Sequence, residues 1–388
     1  MKKKHSNRKS FLLGMVTAVL LCLLLAVVLP MLPIWGTASR PDSVAASLKT
    51  KEIQEIIRTA YLEEPDEQLQ TDYMYLGLVA GLGDQYSTYY TKEEFESVQK
   101  DQAGSFEGIG INIAKNTEDD TLVVLSVVEG SPAAEADVEA GDILLEINGT
   151  DMTGKDTADA VALIQGIEGE PVVLLLSREG REESFTVELE KTTINQSSAS
   201  GKMLENDIGY IQISSFTKLT PDQFQEAYAS LQEQGMKGLI LDLRGNLGGL
   251  VDSACSILDQ FMPEGLMVYS EDKYGERKER TCPGETPIEI PMVVLVNENT
   301  ASAAEIMAGA IKDYEVGTIV GTTTYGKGII QNTYCLSDGS ALRLTISHYY
   351  TPKGNDIHKV GITPDIEVEQ PEDSETDLQL DKALELLT

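Results

Sequence analysis

A serine at the start of a predicted helix is the first candidate for chemistry. The chain reads NTASAAE over residues 299–305, between a predicted strand that ends at Val296 and a predicted helix over 303–313. A turn from a strand into a helix lifts Ser302 into solvent, and the unpaired N–H groups and positive dipole of the helix start stabilise negative charge beside it. These properties suit a nucleophile, although the sequence is not a Gly-x-Ser-x-Gly elbow. A helix N-cap formed by Ser302 or Thr300 is the alternative.

Lys327 is the candidate for the base that such a serine needs. The sequence YGKGIIQ over residues 325–331 predicts that Lys327 opens an apolar strand and that Gln331 lies on the same face. An exposed lysine extends its ammonium into water, whereas burial lowers the lysine pKa toward the range of a general base. The sequence leaves both environments open. His348 and His358 offer a Ser-His-Asp triad as the alternative.

A glycine cluster follows a second predicted strand. The chain reads DLRGNLGG over residues 242–249, directly after the strand predicted at 238–243. Glycines at a strand end most often only turn the chain, because they adopt backbone conformations that other residues avoid. Taken alone, the cluster does not distinguish a turn from a catalytic loop.

Residues 104–190 form a β-rich module that resembles a PDZ domain. The resemblance rests on FEGIGI at 106–111, GSPA at 130–133, GDIL at 141–144 and ING at 147–149. It implies that a peptide adds as a strand beside 111–114, while the backbone around Ile109, Gly110 and Ile111 binds its terminal carboxylate. Ile109 and Ile111 favour an apolar terminal side chain. The alternative is a glycine-punctuated β module without a ligand.

The segments together resemble the carboxyl-terminal processing peptidases, also called tail-specific proteases. The family's motifs occur in its own order, ending with YTPKG at 350–354 and GITPD at 361–365, and the resemblance runs from about residue 45 to the C-terminus. It implies a serine endopeptidase that cuts near the C-termini of exported proteins. By analogy with the family, the PDZ domain can also block or rearrange the active site.

The resemblance also implies a role for each candidate residue. Ser302 is expected as the nucleophile, neutral Lys327 as the general base, and Gln331 as the side chain that orients the lysine. The backbone amides of Gly248 and Ala303 are expected to form the oxyanion hole. An inert PDZ adaptor and a Ser-His protease with an appended PDZ domain are the alternative functions.

The predicted order of strands and helices around these residues indicates an α/β (α+β) peptidase core and a mainly β PDZ domain. One transmembrane helix is expected to precede them. A helical region is expected at 36–103, the PDZ domain at 104–190 and the core at 191–388, where strands alternate with helices. The Ser-rich stretch 196–201 is expected to be a linker.

The N-terminus predicts attachment to a membrane. A basic tail over residues 1–10 precedes an apolar run, and we expect a transmembrane signal anchor at 11–35. The positive charges place the tail in the cytoplasm and the rest of the chain on the extracytoplasmic side. A cleaved signal peptide is the alternative, but its apolar region is usually shorter.

Composition excludes several other functions. The formal net charge of -33 opposes nucleic-acid binding, and four cysteines and three histidines give no metal-binding pattern, so no cofactor is expected. A Cys255–Cys282 or Cys282–Cys335 disulfide stays open. The isoleucine-faced helix near 53–57 and the acidic C-terminal helix fit either homodimerisation or intramolecular packing.

Overall fold

The computed structural model describes residues 43–116, 119–166, 168–284, 287–371, 374 and 376–388. The predicted basic tail and signal anchor lie outside these residues. Within them, no helix is both long enough and apolar enough to cross a bilayer. The chain divides into two compact units, Met1–Tyr73 and Met74–Thr388.

The first unit contains helix α1 (Ser43–Ala60) and the beginning of helix α2 (Glu67–Ala80). The apolar spacing near residue 53 does produce a helix, as the sequence predicts. Ile53 is 48% exposed and Ile56 is 57% exposed, so none of the described residues covers the isoleucine face of α1.

The second unit begins with α2 and continues into strand β1 (Thr88–Tyr90) and helix α3 (Lys92–Ala103). A capping box starts α3, because the Thr91 side chain accepts from Glu94 N and the Glu94 carboxylate accepts from Thr91 N. The region predicted as helical therefore also supplies a strand, and β1 pairs with a strand near the C-terminus.

The module that resembles a PDZ domain contains an antiparallel sheet and, among its described residues, two short helices. Its elements are β2 (Ser105–Gly108), β3 (Ile111–Lys115), β4 (Leu122–Val127), α4 (Pro132–Glu135), β5 (Ile143–Ile147), β6 (Thr150–Asp151), α5 (Thr157–Ile164), β7 (Pro171–Ser177) and β8 (Phe185–Glu190). The main sheet has the order β3-β4-β5-β7-β8, with β6 beside β5. Alternating apolar residues of these strands form a core of their own, and β3 is an edge strand.

The stretch 196–201 is not simply a linker, so that prediction is wrong in part. It connects β9 (Thr192–Asn195) to β10 (Ala199–Met203). Strand β9 pairs with β2, and β10 pairs antiparallel with the next strand of the core. Backbone pairing overrides the weak strand propensity of this Ser-rich segment.

The remaining elements form the core. They are β11 (Ile208–Ile213), α6 (Thr220–Glu233), β12 (Gly238–Asp242), α7 (Val251–Leu258), β13 (Gly265–Asp272), β14 (Arg277–Cys282), β15 (Met292–Val296), α8 (Ala303–Tyr314), β16 (Thr318–Gly321), β17 (Ile329–Cys335), β18 (Ala341–Tyr350), β19 (Ile366–Glu367) and α9 (Leu378–Leu387). The alternation of strands and helices predicted for the core is confirmed in part, because the antiparallel strands β13 and β14 intervene between α7 and β15.

Two sheets build this core. One has the order β10-β11-β12-β15-β16-β19, and all its pairs after β10–β11 are parallel. Apolar residues of α6, α7 and α8 pack with side chains from one face of this sheet in one buried cluster. Apolar residues of α9 pack with side chains from the opposite face in a second cluster. The second sheet is antiparallel, with the order β1-β18-β13-β14 and β17 beside β18. The thiols of Cys255, Cys282 and Cys335 form no disulfide.

Candidate active site

The loops that follow β12 and β15 meet at one edge of the parallel sheet. These strands are adjacent and parallel, so their carboxyl ends lie side by side. Ala301 N donates to Asn246 O at 2.9 Å, and the buried Thr300 hydroxyl donates to Leu243 O at 2.9 Å. These two bonds hold the segment around Ser302 against the glycine cluster.

Ser302 has a backbone conformation that only a constrained residue adopts. Its φ is 57° and its ψ is -117°, immediately before α8 begins at Ala303. A non-glycine residue in this region is strained and persists only where its surroundings hold it. One constraint is Tyr349, whose hydroxyl donates to Ser302 O at 3.0 Å; burial raises the pKa of Tyr349 well above its usual value, so this donor stays protonated. The geometry fits a sharp strand-to-helix turn, as the sequence predicts.

Gly248 touches Ser302 so closely that only glycine fits there. Its φ is 103°, and an added Cβ would lie 2.8 Å from Ser302 Cβ and 3.0 Å from Ala303 N. Ala303 is the first residue of α8, so its N–H has no acceptor within the helix. The Gly248 N–H instead donates to Asn246 Oδ1 at 2.8 Å. The N–H groups of Gly248 and Ala303, the two predicted oxyanion donors, thus both lie beside Ser302, but the Gly248 N–H is already bonded to Asn246.

Glu305 connects the serine loop to the lysine loop. Its Oε2 accepts from Ser302 N at 2.9 Å and from Lys327 N at 2.8 Å. Its Oε1 accepts from the Thr324 hydroxyl and from Gly326 N, both at 2.6 Å. The side chain is fully buried. The sequence gives no sign of this connection, because the spacing of Glu305 from Ser302 carries no information about residues 324–327.

Lys327 lies in the loop before β17 rather than at the start of that strand, because β17 begins at Ile329. Its side chain is half-buried, and its Nζ lies 4.9 Å from the centre of the Tyr86 ring. Burial lowers the Lys327 pKa, and the Arg343 charge lowers it further, while Glu305 and Asp84 oppose the shift. Among the described residues, Nζ has no hydrogen-bond partner, so no bond joins it to Ser302.

Gln331 and the two histidines are not bonded to the dyad candidates. The register of β17 shifts between Ile330 and Gln331, and Gln331 Nε2 donates to Ile329 O at 3.4 Å. The predicted same-face relation to Lys327 is therefore interrupted by this irregularity. His348 lies on β18 with its ring 5.2 Å from that of His358, and in the part of the chain that the structure describes neither histidine bonds to Ser302. No group of three or more potential metal ligands occurs there either.

The PDZ module has an apolar cavity beside its edge strand. The cavity has a volume of about 70 Å³ and is lined by Phe106 to Ile111 together with Ile113 and by Val161, Ile164 and Gln165 of and after α5. Gly110 has a φ of 82°, and a Cβ there would clash with Ser131. Over the described ranges, the N–H groups of Ile109 and Gly110 have no acceptor. Ile109 itself is only 1% exposed and packs into the module's core, whereas Ile111 is half-buried.

Comparison with known proteins identifies both modules. Residues 207–368 match the model of peptidase family S41, and residues 123–178 match the PDZ domain model. The chain is 34% identical to the carboxy-terminal processing protease CtpA of Bacillus subtilis, with 94% of this chain and 78% of that protein covered. It is 36% identical to the carboxy-terminal-processing protease of Bartonella bacilliformis, with 82% and 74% covered.

A solved structure agrees at the level of the fold. A putative S41 protease from Bacteroides fragilis superimposes with a TM-score of 0.52 at 19% identity, and 91% of this chain and 98% of that chain are covered. The extent and identity of the sequence matches establish more than the fold. The chain belongs to the carboxyl-terminal processing proteases of family S41, and it is a serine protease that carries a PDZ domain.

Proposed function

We propose that the chain cleaves polypeptides with a Ser–Lys dyad formed by Ser302 and Lys327. The observation that carries the proposal is the buried Glu305 carboxylate, which accepts from the backbone N–H groups of both residues through one oxygen. A shared acceptor fixes the two main chains next to each other. The lowered pKa of Lys327 increases the neutral fraction of its amine near physiological pH, which a general base requires.

The proposed reaction proceeds through an acyl-enzyme. Ser302 Oγ attacks the scissile carbonyl carbon and passes its proton to Lys327 Nζ, and the carbonyl oxygen becomes an oxyanion beside Ala303 N. The C–N bond then breaks, and Lys327 returns the proton to the leaving amine. A water molecule attacks the acyl group with Lys327 again as the base, which releases the new carboxyl terminus and restores Ser302.

Three contacts in the structure must change before this reaction. The Lys327 amine must leave the Tyr86 ring for Ser302, Gln331 must release Ile329 O to orient the amine, and the Gly248 N–H must turn from Asn246 to complete the oxyanion hole. We assign the described arrangement to a resting enzyme. Substrate binding supplies the free energy for the three changes.

We further propose that the PDZ module captures the C-terminal tail of the substrate. No described strand pairs with the outer side of the edge strand β3, so an extended peptide can add there as a further strand. The N–H groups of Ile109 and Gly110 suit a terminal carboxylate, and the cavity between Ile113 and Val161 suits an apolar terminal side chain. Ile111 contributes to the same groove through its half-buried side chain.

The membrane anchor, the extracytoplasmic location and a homodimer also belong to the proposal. The basic residues 1–10 and the apolar residues 11–35 support a single-pass anchor with the peptidase outside the cytoplasm. The exposed Ile53 and Ile56 support pairing of α1 with a second copy. Carbonate extraction of membranes tests the anchor, and light scattering of wild type and Ile56→Asp tests the dimer.

Cleavage of an unfolded protein with an apolar C-terminal tail tests the dyad. Wild type, Ser302→Ala and Lys327→Ala are compared from pH 6 to pH 10, with tail binding measured in parallel. We expect only wild type to cleave, at a rate that rises with pH. Tail binding by all three proteins without cleavage by any of them would favour the inert PDZ adaptor instead, and cleavage by Lys327→Ala would return the base to His348.

A further inference from the structure

The aromatic segment before β1 reaches the predicted general base. The reaction proposed above gives the sequence GDQYSTYY over residues 83–90 no chemical step of its own. The structure nevertheless places the Tyr86 ring against Lys327, with 4.9 Å between Nζ and the ring centre. The Tyr86 hydroxyl lies 3.5 Å from that of Tyr325, which is two residues before the lysine. Tyr86 and Tyr325, which are far apart in the sequence, therefore lie together, and the ring of Tyr86 faces the Lys327 amine.

Tyr86 is held in place from both sides of its turn. Asp84 Oδ1 accepts from Tyr86 N at 3.1 Å, and Asp84 Oδ2 accepts from the Ser87 hydroxyl at 2.5 Å. Ser87 Oγ accepts in turn from Thr345 N of β18 at 3.0 Å. Since β1 also pairs with β18 directly after this turn, the ring is fixed to the same sheet that carries β17.

Among the described residues, the Tyr86 ring is the one direct partner of the Lys327 amine. The charged groups that face Lys327 are Arg343 of β18, Glu305 of α8 and Asp84 of the turn, and none of them bonds to Nζ. A cation without an acceptor gains free energy from the negative face of an aromatic ring within about 6 Å. The Tyr86 ring meets this distance condition for Lys327 Nζ, and no other described aromatic ring does.

We propose that Tyr86 is a positioning residue for catalysis, whose ring face holds the resting Lys327 ammonium beside the Ser302 loop in place of a hydrogen-bond acceptor. The inference rests on the proposed role of Lys327 as the base. It extends that role, because the contact stabilises the charged lysine and so sets the pH at which the amine becomes available to Ser302.

A cavity lies next to the Tyr86 ring. It has a volume of about 610 Å³, and its walls include Tyr86, Tyr325, Gly326 and Ile329. Two orphaned buried polar atoms, Thr345 Oγ1 and His358 Nδ1, belong to residues of the same walls.

The test is the titration of Lys327 in the full-length chain, in mild detergent and with Ser302→Ala to prevent autolysis. Competitive acetylation with acetic anhydride across a pH series, read by mass spectrometry of the Lys327 peptide, gives the pKa of this lysine without any activity measurement. Tyr86→Leu removes the ring but keeps an apolar side chain, and Tyr86→Phe keeps the ring but removes the hydroxyl. Tyr274→Leu is the matched control, because it removes an exposed ring 5.0 Å from Lys273 Nζ.

We expect Tyr86→Leu to lower the Lys327 midpoint by about 0.5 to 1 pH unit, the size of a cation–π contact. Tyr86→Phe should restore the wild-type midpoint, and Tyr274→Leu should leave it unchanged. In the active enzyme, the acid limb of kcat/KM should move by the same amount in Tyr86→Leu. If Tyr86→Leu is not folded by thermal melting, Tyr86→Met replaces it.

An unchanged or raised midpoint in Tyr86→Leu would overturn the inference, and so would equal shifts in Tyr86→Leu and Tyr86→Phe. Failure of the proposed function has a different signature. Cleavage by Lys327→Ala would remove the base assignment, whereas the acetylation midpoints report the Tyr86 contact whichever residue is the base.

Discussion

Replacement of Glu305 by glutamine should weaken the connection between the serine loop and the lysine loop. The carboxylate accepts four hydrogen bonds, two on each oxygen. A glutamine has one acceptor oxygen, so its NH₂ group replaces one of the two carboxylate oxygens. Two bonds are lost if the NH₂ group faces Ser302 N and Lys327 N, and one is lost if it faces Gly326 N and the Thr324 hydroxyl, because a hydroxyl can also accept. Each hydrogen bond to a charged group contributes about 1.5–3 kcal/mol, which gives a loss of about 1.5–6 kcal/mol. Because the bonds hold the two dyad residues, the loss should appear both in folding stability and in activity.

Urea unfolding and peptide cleavage measure the two parts. We expect Glu305→Gln to lower the free energy of unfolding by at least about 1.5 kcal/mol and kcat/KM by at least about 100-fold. Glu298→Gln is the matched control, since Glu298 is exposed and accepts only from side chains of its own surface, including the Thr322 hydroxyl at 3.2 Å. A Glu305→Gln enzyme that keeps stability and activity within the range of Glu298→Gln would refute the bridging role.

Three further changes address the other parts of the site. Gly248→Ala should reduce kcat at least about 100-fold, because its Cβ would lie 2.8 Å from Ser302 Cβ; an unchanged kcat would exclude Gly248 from the oxyanion hole. Lys327→Met should abolish cleavage and raise the free energy of unfolding at neutral pH. This gain should shrink as pH rises through the lowered Lys327 pKa, because the neutral amine costs less to bury; urea unfolding from pH 6 to 10 checks the sign. Val161→Lys should weaken binding of an apolar tail peptide at least about tenfold in fluorescence anisotropy, and equal affinity would move the tail site elsewhere.

Local sequence patterns predicted the parts of the site that depend on one segment. The strand before Ser302, the helix after it and the glycine cluster each have a periodicity and turn chemistry that are visible within about ten residues. The meeting of the loops after β12 and β15, through Gly248 and Ser302, was implied only by the family resemblance, because no local pattern shows that these strands are neighbours.

Contacts between distant segments could not be predicted in the same way. Glu305 and Gly326, or Tyr86 and Lys327, are joined by tertiary packing that leaves no spacing signal in the chain. The irregular register before Gln331 and the pairing of Ala199–Met203 likewise depend on neighbouring strands. Strand formation is sensitive to such neighbours, so polar or irregular strands are the elements that sequence patterns predict least well.

Covalent labelling of the nucleophile tests the Ser–Lys dyad most directly. A fluorophosphonate probe is reacted with wild type, Ser302→Ala and Lys327→Ala from pH 6 to pH 10, and the modified residue and the rate are read by mass spectrometry. The dyad predicts modification of wild type at Ser302 alone, with a midpoint below the ordinary lysine value of 10.5, and labelling of Lys327→Ala at least about 100-fold slower. Modification of another serine, or the same rate in Lys327→Ala as in wild type, would contradict it.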